Sequence, residues 1–321
     1  MNDNCLVTGG TGFIGAEVMR LLAGRGDTPV AFDLHPNEER LSGMDVSIEQ
    51  GDLGDGDAVE TAVIKHKPDV IYHFGGMLSV PSEADHVASF SANATGTLNV
   101  LKAALKHSVR KVVYSSSMIS HGQNIENQTI DDDTLQRPNL FYGATKVFSE
   151  HMGIWFQRKY GIDFRGLRYP GIVGPGVKTP GVAQYNAWMI EAAIKREPFT
   201  AWVREDTRHA ILYYKDAAKA AVQLADAPKK NLKRSVYVLT SQQPSPSAGE
   251  LAETVKREIP GTEITFEVDP ARQKIVDDVE REIDDGNARR EWGFEPEYDL
   301  VRMISDMRET IVPLLNREDK G

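Results

Sequence analysis

Short apolar runs alternate with amphipathic stretches through the first half of the chain. The runs rich in Val, Ile, Tyr and Phe predict β-strands, and the stretches whose apolar residues recur every three or four positions predict helices. Strands are predicted at residues 5–8, 29–33, 46–50, 70–73, 111–115 and 163–168, and helices begin at Phe13, Asp57, Asp85 and Tyr142. Since this alternation is typical of parallel strands covered by helices on both faces, we predict an α/β fold with a Rossmann doubly wound parallel sheet of six strands.

The pattern changes after residues 170–181, which are rich in Gly and Pro. Beyond them the apolar runs are isolated, and they predict strands at 199–203, 210–214, 236–240 and 263–268 and helices at 216–224 and 300–315. We therefore predict a Rossmann domain over residues 1–175 and a smaller C-terminal substrate-binding lobe over residues 176–321. The two are partly interleaved, and the lobe closes over the carboxyl ends of the strands.

Composition narrows the class of protein. The chain has 321 residues, of which 40% are hydrophobic, enough for a large buried core. A net charge of −10 has the wrong sign for a nucleic-acid or anionic membrane surface. The single cysteine, Cys5, cannot form an internal disulfide, and His and Cys do not cluster at metal-ligand spacing. We expect a soluble cytoplasmic protein with no metal, nucleic-acid or membrane partner, and find no signal peptide or membrane span.

A glycine-rich loop follows the first predicted strand. Residues 8–15 read TGGTGFIG and open a helix, so that Gly10, Gly12 and Gly15 have the spacing of a dinucleotide-binding turn. Backbone N–H groups at a helix N-terminus attract a diphosphate, and residues without side chains let it approach. We predict contacts of the cofactor with Gly9, Gly12, Phe13, Ile14 and Gly15; the alternative is a tight glycine turn with no ligand.

Two acidic positions extend this prediction. Asp33 ends the second predicted strand, eighteen residues after Gly15. A carboxylate there accepts hydrogen bonds from the adenosine ribose and repels a 2′-phosphate, which favours NAD over NADP. Asp52 and Leu53 follow the third strand and are predicted to lie near the adenine. Both acids are also common turn residues, and that interpretation stays open.

Candidate catalytic residues follow the fifth strand. Tyr142 and Lys146 are four residues apart and therefore share one face of a helix. A neighbouring cation favours the phenolate, so Tyr142 is predicted to accept a proton from an alcohol as its hydride leaves. Ser117, in a serine cluster at the strand end, is predicted to hold the substrate oxygen. The alternatives are a solvated helix face and serines that satisfy the strand end.

Together these residues resemble the extended short-chain dehydrogenase/reductase family, of the NAD-dependent epimerase/dehydratase type. The resemblance rests on TGGTGFIG, Asp33, the segment 93–99 (NATGTLN), Ser117, Tyr142 and Lys146. It implies that the Ser-Tyr-Lys triad catalyses hydride transfer, that Lys146 also binds the nicotinamide ribose, and that Tyr169 lies beside the cofactor. It further implies a homodimer formed by the helices at 85–106 and 142–160.

The second half resembles the L-threonine 3-dehydrogenase branch of that family. The matching segments are 168–172 (RYPGI), 206–208 (DTR), 270–273 (PARQ) and 284–285 (DD). Two departures concern the substrate. The branch has Gly-Thr-Thr-Asp-Tyr-Ala where residues 181–186 read GVAQYN, and a tryptophan expected shortly after PARQ is absent from the run 277–280 (DDVE). Losing the Asp removes the charge that would balance a substrate ammonium.

These considerations lead to a prediction and two alternatives. We predict an NAD-dependent dehydrogenase that oxidises a secondary alcohol of a small polar metabolite, with L-threonine or another β-hydroxy acid as first candidates. Substrate contacts are predicted for Ser79, Ser117, Thr179, Gln184 and Arg208. A nucleotide-sugar 4-epimerase is the first alternative, since Arg208 and Arg272 could hold a diphosphate. A non-catalytic dinucleotide sensor is the second, and it would not need a complete triad.

Overall fold

A parallel β-sheet forms the centre of the protein. The computed structural model describes residues 2–122, 125–126, 129–177, 181 and 183–318. Its strands are β1 (Asn4–Thr8), β2 (Thr28–Asp33), β3 (Ser47–Gln50), β4 (Val70–His73), β5 (Lys111–Ser117), β6 (Thr129–Ile130), β7 (Asp163–Tyr169), β8 (Gly171–Val173), β9 (Phe199–Ala201), β10 (Ile211–Tyr213), β11 (Val236–Val238), β12 (Ile264–Phe266) and β13 (Glu282–Ile283).

Helices cover both faces of the sheet and build the remainder of the chain. They are α1 (Phe13–Gly24), α2 (Gly56–His66), α3 (Ser79–Ala84), α4 (His86–Phe90), α5 (Gly96–Lys106), α6 (Phe141–Tyr160), α7 (Tyr185–Lys195), α8 (Tyr214–Asp226), α9 (Ala248–Glu258), α10 (Pro270–Val279), α11 (Gly286–Trp292) and α12 (Leu300–Glu318). A π-helical turn at 91–95 joins α4 to α5.

The central sheet has seven parallel strands in the order β11-β7-β5-β4-β1-β2-β3. Cys5, Leu6 and Val7 of β1 are fully buried, as expected for a strand covered on both faces. The direction of strand addition reverses between β1 and β4, and ligands of such sheets bind at this point, beyond the carboxyl ends of the strands. The predicted α/β fold with a Rossmann-type sheet is confirmed.

The seventh strand corrects the prediction of six. Residues 236–238 were assigned to the C-terminal lobe, but β11 pairs with β7 at the edge of the central sheet, with Val236 opposite Gly166. The apolar pattern marks this segment as a buried strand, but a pattern does not specify which strand is its neighbour. The same holds for α8, whose fully buried Ala217 and Ala221 belong to the core around β1 and α1.

A second core lies between α7, α9 and α12. It contains Tyr185, Met189, Leu251 and Met303, all buried. Three pairs of short strands, β8 with β10, β9 with β12 and β6 with β13, join this part of the chain to itself and to the first half. Because β8 directly follows β7, this arrangement brings residues of the second half over the carboxyl edge of the sheet.

Two kinds of feature are absent from the described residues. No helix among them is both long enough and apolar enough to cross a membrane. No group of three or more His, Cys, Asp or Glu side chains among them is arranged to hold a metal ion.

Candidate active site

A cavity of about 720 Å³ opens at the carboxyl edge of the sheet. The glycine loop and Asp33 line one part of it, and Ser117, Tyr142 and Lys146 line another. The predicted Gly9, Gly12, Phe13, Ile14, Gly15, Asp52, Leu53 and Tyr169 also line it. The fold therefore brings the two groups of predicted residues, one from the first strands and the other from β5 and α6, into one space.

The glycine loop forms a cradle that has no room for side chains. Gly9 has a left-handed backbone with φ of 66°, and a Cβ there would lie 2.8 Å from the backbone nitrogen of Gly75. A Cβ on Gly15 would overlap the carbonyl oxygen of Gly9. Helix α1 begins after Gly12, without a side-chain cap and without an acid in its first turn. Its N-terminal N–H groups therefore suit a bound anion such as a dinucleotide diphosphate.

Asp33 lies at the end of β2 beside this loop. Its carboxylate accepts hydrogen bonds from the Thr11 hydroxyl at 2.7 Å and from the Thr11 backbone N–H at 3.2 Å. Arg40, which also lines the cavity, places its guanidinium carbon 5.7 Å from the centre of the Phe13 ring. Sequence reasoning found Asp33 but gave no role to Thr11, a variable position of the glycine motif, or to Arg40, which lies outside the motif.

Tyr142 is buried at the N-terminal end of α6, with 8% of its surface exposed. Burial raises the pKa of Tyr142 to about 12, although its side-chain hydrogen bond with Ser117 opposes the rise. We expected the ammonium of Lys146 to lower this pKa. Instead desolvation of the phenol dominates, because the phenolate loses more hydration free energy on burial than its interactions with the neighbouring groups restore.

Lys146 lies one helical turn after Tyr142. Its Nζ donates to the carbonyl oxygen of Ser115 at 2.8 Å and lies 5.5 Å from the centre of the Tyr142 ring. Burial lowers the pKa of Lys146 to about 8, and the negative charge of Glu150 opposes this effect. The amine is thus held against the end of β5 with its charge sensitive to any group placed beside it.

Asn93 ties the segment before α3 to the helix that carries Tyr142. Its Oδ1 accepts from the backbone N–H of Met77 at 2.7 Å, and its Nδ2 donates to the hydroxyl of Thr145 at 3.1 Å. The segment leads directly into Ser79, which lines the cavity as predicted. Asn93 therefore positions this wall of the cavity relative to α6.

The structure does not bring all predicted substrate contacts together. Gln184 lines the cavity, whereas Thr179 lies outside the described residues. Arg208 is not among the residues that line the cavity, and its role as a substrate contact stays a prediction. Its guanidinium forms two hydrogen bonds to Glu250, at 2.9 and 3.0 Å, and donates to the carbonyl oxygen of Ser245 at 2.6 Å. Glu250, forty-two positions away in the sequence, thus provides the counter-charge of Arg208.

Three other residues that line the cavity were not predicted from the sequence. His209, Glu280 and Arg281 reach the cavity from the second half of the chain. Their only signal in the sequence is indirect, since Glu280 ends the run that departs from the threonine dehydrogenase branch.

His73, at the end of β4, is fully engaged within the protein. Both of its ring nitrogens are hydrogen-bonded to threonine hydroxyls, at 2.7 and 3.0 Å, so it does not contribute a catalyst.

Comparison with known proteins identifies the family. The sequence model of the NAD dependent epimerase/dehydratase family matches residues 5–240. The chain belongs to this family. Mitochondrial L-threonine 3-dehydrogenase of Bos taurus is 31% identical over 307 residues, which are 94% of this chain and 81% of that protein. Membership confirms the resemblance stated from the motifs, and NAD as the cofactor.

Solved structures of this family superpose closely. L-threonine 3-dehydrogenase from Trypanosoma brucei has a TM-score of 0.91 and 30% identity, with 98% of each chain covered. An L-threonine 3-dehydrogenase from a metagenome, described as monomeric, has a TM-score of 0.88 and 29% identity, with 97% of this chain and 99% of that chain covered. This family member is therefore an NAD-dependent enzyme of the short-chain dehydrogenase type.

Proposed function

We propose that the protein oxidises the 3-hydroxyl group of L-threonine, or of a closely related 3-hydroxy amino acid, with NAD as the oxidant. The observation that carries this proposal is the meeting of Ser117, Tyr142 and Lys146 with the glycine cradle in one cavity. The relatives named L-threonine 3-dehydrogenase support the substrate class.

Each member of the triad has a separate task. Ser117 holds the substrate hydroxyl through its side chain, and Tyr142 accepts the hydroxyl proton. Lys146 binds the nicotinamide ribose and stabilises the phenolate of Tyr142 with its ammonium. The bound NAD supplies the hydride acceptor and a positive ring that further favours the phenolate. Gly9, Gly12, Phe13, Ile14 and Gly15 cradle its diphosphate, and Asp33, Asp52 and Leu53 hold the adenosine end. Tyr169, the partner of Ser117 in the β5–β7 pairing, lines the cavity on the side of the triad.

The test is the absorbance of NADH over a panel of alcohols. The panel contains L-threonine, L-serine, 3-hydroxybutyrate, an aldose and a UDP-sugar. We predict that L-threonine is oxidised and that Tyr142→Phe lowers turnover by about three orders of magnitude while calorimetry shows unchanged NAD binding. Tyr160→Phe, on the exposed end of the same helix, is the matched control and retains activity. Near-normal turnover by Tyr142→Phe would reject the assignment.

The epimerase alternative loses its main support. Arg208 is engaged by Glu250, and the guanidinium carbon of Arg272 lies 4.9 Å from the centre of the Trp202 ring, with Asp269 3.4 Å from its Nε. Neither basic side chain lines the cavity, so neither is placed to bind the diphosphate of a nucleotide sugar. The sensor alternative needs no triad, and the same NADH assay separates it from the dehydrogenase.

We also propose a homodimer in the cytoplasm. The helices α4, α5 and α6 expose large apolar side chains, among them Val87, which is 82% exposed, and Phe90, Phe148 and Trp155. Exposed apolar clusters of this kind mark association surfaces. Light scattering coupled to gel filtration tests the assembly, and a monomer at micromolar concentration would contradict it. A buried lone Cys5 is compatible with a reducing compartment, which cell fractionation tests.

A further inference from the structure

Two oppositely charged residues line the cavity from the second half of the chain. Glu280 and Arg281 follow the C-terminus of α10, and both are half-buried. They directly follow Val279, in the run where the tryptophan of the threonine dehydrogenase branch is missing.

Contacts along the chain place Glu280 at the end that holds the triad. Ser117 and Tyr169 are partners in the β5–β7 pairing. Two residues after Tyr169, a Cβ on Gly171 would lie 3.0 Å from the ring of His209. Arg208, the residue before His209, lies near the Glu280 carboxylate, and its backbone N–H lowers the pKa of that group. These contacts connect Glu280 to Ser117 through residues that line the same cavity.

Glu280 also lies close to the segment that lost an acid. The negative charge of Glu280 contributes to the raised pKa of Tyr185, after burial of that phenol. Tyr185 is the first residue of α7 and directly follows Gln184, which stands where the branch has an aspartate. Gln184 and Glu280 both line the cavity, so the chain retains a carboxylate there, but a different segment supplies it.

Neither Glu280 nor Arg281 forms an ion pair with another described residue, and Arg208, whose charge interacts with that of Glu280, is paired with Glu250. Burial raises the pKa of Glu280 to about 7, and Arg204, the cation that opposes this rise, is itself paired with Asp277 at 2.8 Å. The guanidinium of Arg281 donates to two backbone carbonyl oxygens, those of Glu280 and Ile125. A poorly hydrated carboxylate and a guanidinium bonded only to neutral groups both gain from a charged ligand.

We propose that Glu280 binds the α-ammonium and Arg281 the α-carboxylate of the substrate, which makes this pair the specificity determinant for a zwitterionic amino acid. The inference rests on the proposed function and deepens it. It accounts for Gln184 in place of an acid, because the balancing charge comes from Glu280. A nucleotide diphosphate is disfavoured at this site, since the carboxylate would repel it.

The test compares variants on substrates that lack one charge. L-Threonine carries both groups, 3-hydroxybutyrate lacks the ammonium, and L-threoninamide lacks the carboxylate. Glu280→Gln is expected to raise KM for L-threonine about ten- to a hundredfold and to leave KM for 3-hydroxybutyrate nearly unchanged. Arg281→Gln is expected to raise KM for L-threonine by a similar factor but not KM for L-threoninamide.

The control is Lys274→Gln, on the exposed face of α10, where Lys274 pairs with Asp278 at 3.0 Å. It is expected to match the wild type on all three substrates. If the wild type oxidises L-threonine and Glu280→Gln leaves its KM unchanged, the inference fails and the proposed function stands.

A binding measurement tests the inference in the case in which the wild type shows no activity. If the wild type produces no NADH with any substrate, the proposed function fails, and calorimetry of the NAD-loaded protein with L-threonine then decides the inference. Binding to the wild type that is lost in Glu280→Gln supports charge recognition. Absence of binding to the wild type overturns it.

Discussion

The buried ion pair next to the strand end that carries Ser117 offers a test of how the site is held together. Glu150 and Arg168 expose only 1% and 7% of their side chains. Arg168 donates to the carboxylate through Nη2 at 2.9 Å and through Nε at 3.1 and 3.2 Å. The Ser116 hydroxyl and the Gln136 amide also donate to it. This carboxylate thus joins α6, which carries Tyr142, to the strand end beside Ser117.

The perturbation is Glu150→Gln, which removes the charge and preserves the size of the side chain. It leaves the guanidinium of Arg168 buried without a counterion, and breaking a buried pair in this way costs about 3–5 kcal/mol. With an unfolding entropy of about 2.1 cal/mol/K per residue over 321 residues, the melting temperature should fall by roughly 4–7 °C. Turnover should also fall, because the Glu150 charge supports the pKa of Lys146.

The assay is thermal and urea denaturation of the NAD-free protein. The matched control is Glu253→Gln, which removes an exposed pair with Lys256 at 3.0 Å and should cost less than about 1 kcal/mol. The double variant Glu150→Met with Arg168→Met should recover much of the loss, since it leaves no uncompensated charge. A Glu150→Gln protein that melts within a degree of the wild type would refute the reasoning.

Two further predictions concern the cofactor. Gly15→Ala should weaken NAD binding about tenfold or more in calorimetry, because its Cβ overlaps the Gly9 carbonyl and displaces the cradle. The control is Gly24→Ala, where a Cβ meets no atom within 4 Å, and this variant should bind NAD normally. Equal affinities would show that the cradle does not hold the diphosphate. Asp33→Asn should shift the ratio of NADP to NAD affinity about tenfold towards NADP, because it removes the charge that repels a 2′-phosphate; an unchanged ratio would show that Asp33 does not face the ribose.

The sequence identifies the parts of the site that depend on local spacing. The glycine loop is fixed by a strand, a turn and a helix within twenty residues, and Tyr142 and Lys146 by one turn of α6. Serine at the end of β5 is placed by sheet register, which follows from the strand order. Such features depend on geometry that every Rossmann-type sheet shares, so the motifs alone predict them.

Residues positioned by long-range packing escape this reasoning. Arg208 was expected to contact the substrate, but its guanidinium donates to Glu250 on α9. Glu280 and Arg281 were missed, because they directly precede β13, and β13 is positioned by pairing with β6, a segment far away in the sequence. The raised pKa of Tyr142 was missed as well, since the cost of burying a phenol depends on the whole surrounding core.

The central claim is that a hydride passes from an alcohol carbon to NAD in the cavity that holds Tyr142. The most direct measurement uses L-threonine deuterated at C3, with NAD and the wild-type enzyme, and follows the label by mass spectrometry. We predict that the deuterium appears in the reduced nicotinamide and that turnover slows relative to unlabelled L-threonine. Deuterium that remains on the amino acid or is released to water, with no label in the nicotinamide, would contradict it.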